Sequence, residues 1–145
     1  MAPVTDPRTP GRSSAAASVE GNTHDLGVRF VADFFELEGW RAIYLGPSVP
    51  VADLVQGAHD FGADLVALSA TLATQLRAAE DTIALLRASD ISPSVRVIVG
   101  GQGFAAAPGA WQAMGADGFA SDAREAVTLG DRLVPVPNTR QARGH

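Results

Sequence analysis

The feature that most narrows the fold is an alternation. Short apolar segments, "AAASV" (15–19), "RAIYL" (41–45), "DLVALS" (64–69), "VRVIVGG" (95–101) and "GFA" (118–120), are each followed by a stretch with apolar residues at helical spacing. The short segments are apolar almost throughout, the pattern of strands covered on both faces of a sheet. In the first helical stretch, 26–39, Leu26, Phe30, Val31, Phe34 and Leu37 share one predicted inward face, and Gly39 ends it. The second, 51–62, turns Leu54, Val55, Ala58 and Phe61 inward; the third, 74–88, runs through Leu76, Ile83, Leu85 and Leu86. A short helix near 108–114 and a last one over 122–133 complete the pattern, and "GPSVP" (46–50) reads as the stop of the second strand.

Strands alternating with helices specify a parallel sheet with right-handed crossovers. Five strands predict a single α/β domain over residues 15–134, doubly wound and flavodoxin-like or Rossmann-like. Residues 1–14 and 135–145, rich in Pro, Ser and Arg, are expected to be loose tails. In open sheets of this kind ligands bind beyond the carboxyl ends of the strands. The expected binding rim is therefore made of loops 20–25, 46–50, 69–73, 100–107 and 121–122.

Composition removes several chemistries. There is no cysteine, hence no disulfide, thiolate metal site or cysteine nucleophile. There is no lysine either, since all eleven basic residues are arginine, and so no Schiff-base chemistry and no Walker-type phosphate loop. A net charge of -5 gives direct nucleic-acid binding no support. "MAPVTDPRTPGRSS" has no apolar signal region and no run is long enough to span a bilayer, so a cytoplasmic protein without membrane contact is expected.

The rim carries the chemistry. In "GNTHDLG" (21–27), His24 stands between the first strand and the first helix. Its imidazole can donate, accept or ligate a metal; equally, it can be a polar loop residue beside a helix cap. Asn22 can hold one ring nitrogen through its side-chain oxygen, and Asp25 is a favoured residue to cap the helix from Leu26. Gly27 allows a bulky neighbour to approach the helix. A metal site built wholly from protein is not expected, because His59 lies on the second helix and His145 in the tail. "LSATL" (68–72) places the hydroxyls of Ser69 and Thr71 at a strand end, and "VGGQG" (99–103) permits either close backbone approach or a sharp turn. The set is not a catalytic triad, nor does it pair carboxylates. A phospho-receiver is disfavoured, because Ser69 ends the third strand and lysine is missing.

"GNTHDLG", "SATL" and the Gly100–Gly101 pair together resemble the motifs of cobalamin-binding domains, over residues 15 to 133. "AIYLGPSVP", "LSATLATQLRA" and "VGGQG" look most like the cobalamin domains of CarH/LitR-type light-sensing regulators. The resemblance implies cobalamin as cofactor, as adenosylcobalamin or methylcobalamin, with its benzimidazole tail displaced into a slot beside the sheet and His24 as the lower axial cobalt ligand. The implied cofactor-binding set is Asn22, His24, Asp25 and Gly27 on the first loop; Ser69, Thr71 and Leu72 on the third; and Gly100, Gly101 and Gln102 on the fourth. Asn22 departs from the motif's usual Asp, and Gln75 stands where methionine-synthase relatives carry a Ser of the same proton relay; Glu20 is a substitute carboxylate nearby. These departures argue against methyl-transfer cycling and are compatible with a sensor, a carrier or a module that binds less tightly; the expected function is a sensory or regulatory module, photoreceptor-like, acting with a protein partner or second subunit that covers the upper face of the corrin. The alternative is the cobalamin-carrying small subunit of a mutase or corrinoid methyltransferase, with no catalysis by this chain alone.

Overall fold

A computed structural model describes residues 11–89 and 94–136. Most of both expected tails (1–10 and 137–145, with His145) lies outside the described residues, and the first strand begins inside the expected N-terminal tail. The order is β1 (Ser13–Val19), α1 (Leu26–Leu37), β2 (Arg41–Val49), α2 (Val51–Phe61), β3 (Leu65–Ser69), α3 (Leu76–Ala88), β4 (Arg96–Gly100), α4 (Gln102–Ala105), α5 (Ala110–Ala113), β5 (Gly118–Ala120) and α6 (Ala123–Leu133). All strand pairs are parallel, in the order β2-β1-β3-β4-β5. The chain reverses direction across the sheet between β1 and β3, which is where doubly wound sheets open a crevice.

Every residue of β1 is buried, and its three alanines let layers approach from both sides. Ala16, Leu65, Ala67, Ile98 and Ala120 face α1 and α6, while Ala17, Val66, Leu68, Val97 and Val99 face α2 and α3. These near-continuous apolar strands are what a sheet with two covered faces requires.

Three expectations change. The buried residues of α1 are Val28, Ala32 and Phe35, whereas Leu26, Phe30 and Leu37 are 65%, 49% and 71% exposed. Two apolar stripes compete on this helix, and packing selects the one that carries Phe35. Its ring meets Trp40 edge-on, with centroids 4.8 Å apart, and lies against Gly130 of α6, where an added Cβ would stand 2.6 Å from it. Leu85 of α3 is likewise exposed, and Thr82 is buried in its stead, its hydroxyl donating to the Ala78 carbonyl at 2.8 Å.

Second, "GPSV" does not stop β2. The strand runs to Val49 through two register shifts against β1. An edge strand tolerates Pro47 because one side of it has no ladder to complete; Gly46 (φ +128°) and Ser48 (φ +47°) carry the bulged backbone. Third, the short helix expected near 108–114 is the single turn α5, which starts after Gly109 (φ +88°), and the expected rim loop 100–107 holds a further single turn, α4.

Urea denaturation separates the two stripes of α1. Phe35→Ala is expected to cost about 3–5 kcal/mol, and Leu37→Ala to stay within about 0.5 kcal/mol.

Candidate functional site

The loop after β1 is organised around Asn22, which is fully buried. Its Nδ2 donates to the Ser69 carbonyl at the end of β3 (3.0 Å). Its Oδ1 accepts from the main-chain N–H of His24 (3.2 Å) and from the Thr71 hydroxyl (3.0 Å). Its own backbone is also engaged, the N–H to Val19 (2.8 Å) and the carbonyl by Ser48 N–H (2.8 Å). Asn22 therefore stitches the ends of β1, β2 and β3 together at the point where the sheet reverses.

His24 is held by its main chain on both sides. Its N–H donates to Asn22, and its carbonyl accepts from the Ser18 hydroxyl at 2.8 Å. The imidazole makes no hydrogen bond among the described residues, and the residue is exposed. The expected contact between Asn22 and the ring is thus replaced by one between Asn22 and the backbone. The reason is local: with only one residue between them, the turn brings the His24 amide to Oδ1, the geometry of an Asx turn.

Gln75 adds a second clamp. Its buried Oε1 accepts from the N–H groups of Thr71 (2.9 Å) and Leu72 (3.0 Å), and its Nε2 donates to the Gly21 carbonyl (3.1 Å). The Ser48 hydroxyl accepts from Gly21 N–H at 3.0 Å. Glu20 is not a partner of His24; its carboxylate accepts from Val51 N–H at 3.3 Å, at the start of α2. Asp25 occupies the cap position of α1 but makes no side-chain cap bond. Its carboxylate accepts instead from the Tyr44 hydroxyl at 2.8 Å, which fastens the start of α1 to the edge strand.

Beside this loop a slot of about 330 Å³ opens between α1 and α6 over β3, β4 and β5. Gly27, Ser69, Gly100 and Gly101 of the expected set line it, together with residues not expected, among them Phe30, Ala67, Ile98 and Asp122. A Cβ added at Gly27 would meet no atom within 4 Å, so its smallness leaves open space rather than relieving a contact. The glycines of "VGGQG" act differently. A Cβ at Gly100 would lie 2.9 Å from the Ala120 carbonyl, and one at Gly101 (φ +101°) 2.4 Å from that of Ala70, so close backbone approach is what they permit.

The structure brings most of the expected residues to one rim and divides their tasks. Asn22 and Thr71 are bonded to each other, so the Thr71 hydroxyl serves the loop. Leu72 is 55% exposed, and Gln102 is exposed at the start of α4, without a polar contact from its side chain among the described residues. Ser18 and Ser48 were not anticipated; a serine next to the end of an otherwise apolar segment was the available signal for the first. Among the described residues no cluster of three or more His, Asp or Glu could hold a metal, and no helix is long and apolar enough to cross a membrane.

Comparison with known proteins agrees with this arrangement. Residues 12–128 match the family model described as B12 binding domain. The chain is 35% identical over 118 residues to dimethylamine corrinoid protein 3 of Methanosarcina mazei, covering 81% of this chain and 69% of that protein. It is 33% identical to the dimethylamine corrinoid protein of Methanosarcina barkeri, of which it spans 54%. Among solved structures, a cobalamin-binding protein from Desulfitobacterium hafniense matches with a TM-score of 0.78 at 29% identity, over 86% of this chain and 60% of that one. The expected light-sensing relatives are not among these; the named relatives are corrinoid and cobalamin-binding proteins.

Tyr44 offers a direct readout of the rim, since it is the chain's single tyrosine. Burial, and then its bond to Asp25, push the phenol up to about 12 from its ordinary 10.0. Both causes favour the neutral phenol, so the stabilisation is complete below pH 10.0 and is lost as pH rises through about 12. Phenolate absorbance should therefore appear near pH 12 in the native protein and near 10.0 in denaturant, and Asp25→Asn should move the native midpoint downward.

Proposed function

Because the chain belongs to the B12 binding domain family, with a corrinoid as its cofactor, we propose that it is the corrinoid-carrying unit of a methyl-transfer system. In this reading His24 is the lower axial ligand of cobalt, the nucleotide arm occupies the slot, and a separate protein covers the upper face and delivers or removes the methyl group. The observation that carries it is the treatment of His24: a main chain bonded on both sides and an exposed residue whose ring has no hydrogen-bond partner among the described residues. A loop histidine with a structural task would use its ring; this one is presented.

The donor set fits. Gly27, three residues along, opens onto the slot with nothing within 4 Å of an added Cβ. A volume of about 330 Å³ is at the small end for ligand sites. It suits a nucleotide arm and not a macrocycle, which would rest on the rim among Leu26, Leu72 and Gly101, all exposed. Bound there, a corrinoid supplies a cobalt centre that accepts and releases methyl groups.

The relatives' names, which pair a corrinoid with a methylated amine, support the methyl-transfer reading over the sensory or regulatory one. The chain spans about half to two thirds of those proteins' length. Asn22 and Gln75 do not oppose it. Neither side chain hydrogen-bonds the imidazole; both are committed to backbone groups and the Thr71 hydroxyl.

Titration with methylcobalamin tests the assignment. The wild type should bind with the absorbance of a corrinoid whose benzimidazole has left cobalt. His24→Ala should fold normally, since its ring makes no hydrogen bond among the described residues, and should lose at least about tenfold in affinity, or about 1.4 kcal/mol. Unchanged affinity and spectrum in His24→Ala would refute it.

A further inference from the structure

We propose that the slot discriminates among corrinoids by the base of the nucleotide they carry, accepting a methylated benzimidazole and disfavouring a purine. The proposal rests on the reading that the nucleotide arm enters the slot, and its experiment separates the two.

The observation is where the slot's polar atoms lie. Its polar side chains are Ser69, Ser121 and Asp122, all at the strand ends or the start of α6. Below them the walls are hydrocarbon. Ala67 pairs with Ile98 two residues beneath the Ser69–Gly100 pair, and α1 and α6 contribute Val31 and Ala126. The main chain at that depth is paired in the β3–β4 ladder. Even the mouth is partly engaged: Ser121 N–H donates to the Glu125 carboxylate at 2.7 Å, and Asp122 Oδ1 accepts from Glu125 N–H at 2.8 Å.

A base reaching that floor is sorted by its edges. Dimethylbenzimidazole presents methyl groups, one free ring nitrogen and otherwise hydrocarbon, and apolar burial favours it. Adenine presents several ring nitrogens and an amino group. Each would leave water for walls that offer no donor or acceptor, and every such unpaired group carries a penalty.

The full chain is titrated with three probes in their methyl forms: cobalamin, the analogue with adenine as its lower base, and cobinamide, which has no nucleotide arm. Tryptophan fluorescence and corrin absorbance report binding. Each affinity is referred to the corrinoid with its base off cobalt, using the equilibrium measured for the free corrinoid by acid titration. Cobalamin should then bind at least about tenfold more tightly than the adenine analogue, and cobinamide more weakly than cobalamin. Ala67→Ser places a hydroxyl in the floor and should narrow the gap several-fold; Ala126→Ser does so from the helix side and serves if the first variant does not fold. Equal affinity for both nucleotide-bearing corrinoids, each above cobinamide, would overturn the selectivity and leave the arm in the slot. Equal affinity for all three, or no binding, would overturn both readings. A gap unchanged in both folded variants would overturn the assignment to the floor.

Discussion

The structure turns on the side-chain amide of Asn22. It is fully buried at the point where the sheet reverses, and it bonds three separate segments: Ser69 at the end of β3, Thr71 in the loop beyond it, and the backbone of His24. Only one orientation of the amide serves. The His24 N–H must donate and the Ser69 carbonyl must accept, so the oxygen faces the first and the nitrogen the second. A buried amide left unpaired costs about 1–3 kcal/mol per group, so this network holds as a unit. Gln75, in the turn just before α3, and Ser48 of β2 close it by fixing Gly21. The outcome is a turn made rigid by its hydrogen bonds, carrying an imidazole with no hydrogen-bond partner among the described residues.

That rigidity matters because the ring has no support of its own. A ligand held by its backbone loses little conformational freedom when it binds, beyond its side-chain torsions. The slot follows from the same economy of residue size. Ala67, Ser69, Gly100 and Ala120 on the sheet, with Gly27 and Ala126 on the helices, leave between α1 and α6 a volume that larger side chains would fill. Phe35 and Trp40 hold the two helices in place further down, with Arg12 stacked over Trp40 at 4.5 Å and bonded to Asp131 of α6 at 2.8 Å. Core packing at one end of the helix pair thus sets the opening at the other.

Much of this was legible beforehand. Strand–helix alternation identified all five strands, and the parallel sheet with its binding rim followed from it. "GNTHDLG" marked the loop that joins the ends of β1, β2 and β3. Three things were hidden, each for a physical reason. Periodicity cannot rank two apolar stripes on one helix, and only the fit of Phe35 against Gly130 decides that Leu26 and Leu37 face outward. Short polar side chains do not show their partners: Asp25 had a cap available and chose Tyr44, and Asn22 chose a backbone amide over a ring. Bulges are equally silent, so β2 was read as ending four residues early, although its last residues carry Ser48 to the loop it supports.

The most direct measurement of the central claim is electron paramagnetic resonance of the protein loaded with cob(II)alamin, made once with natural-abundance protein and once with ¹⁵N-histidine. An axial imidazole from His24 predicts that the nitrogen superhyperfine splitting of cobalt changes from triplet to doublet with the label, and that it vanishes in His24→Ala. A triplet that persists in the labelled protein would show the corrinoid's own base still on cobalt and would contradict the account.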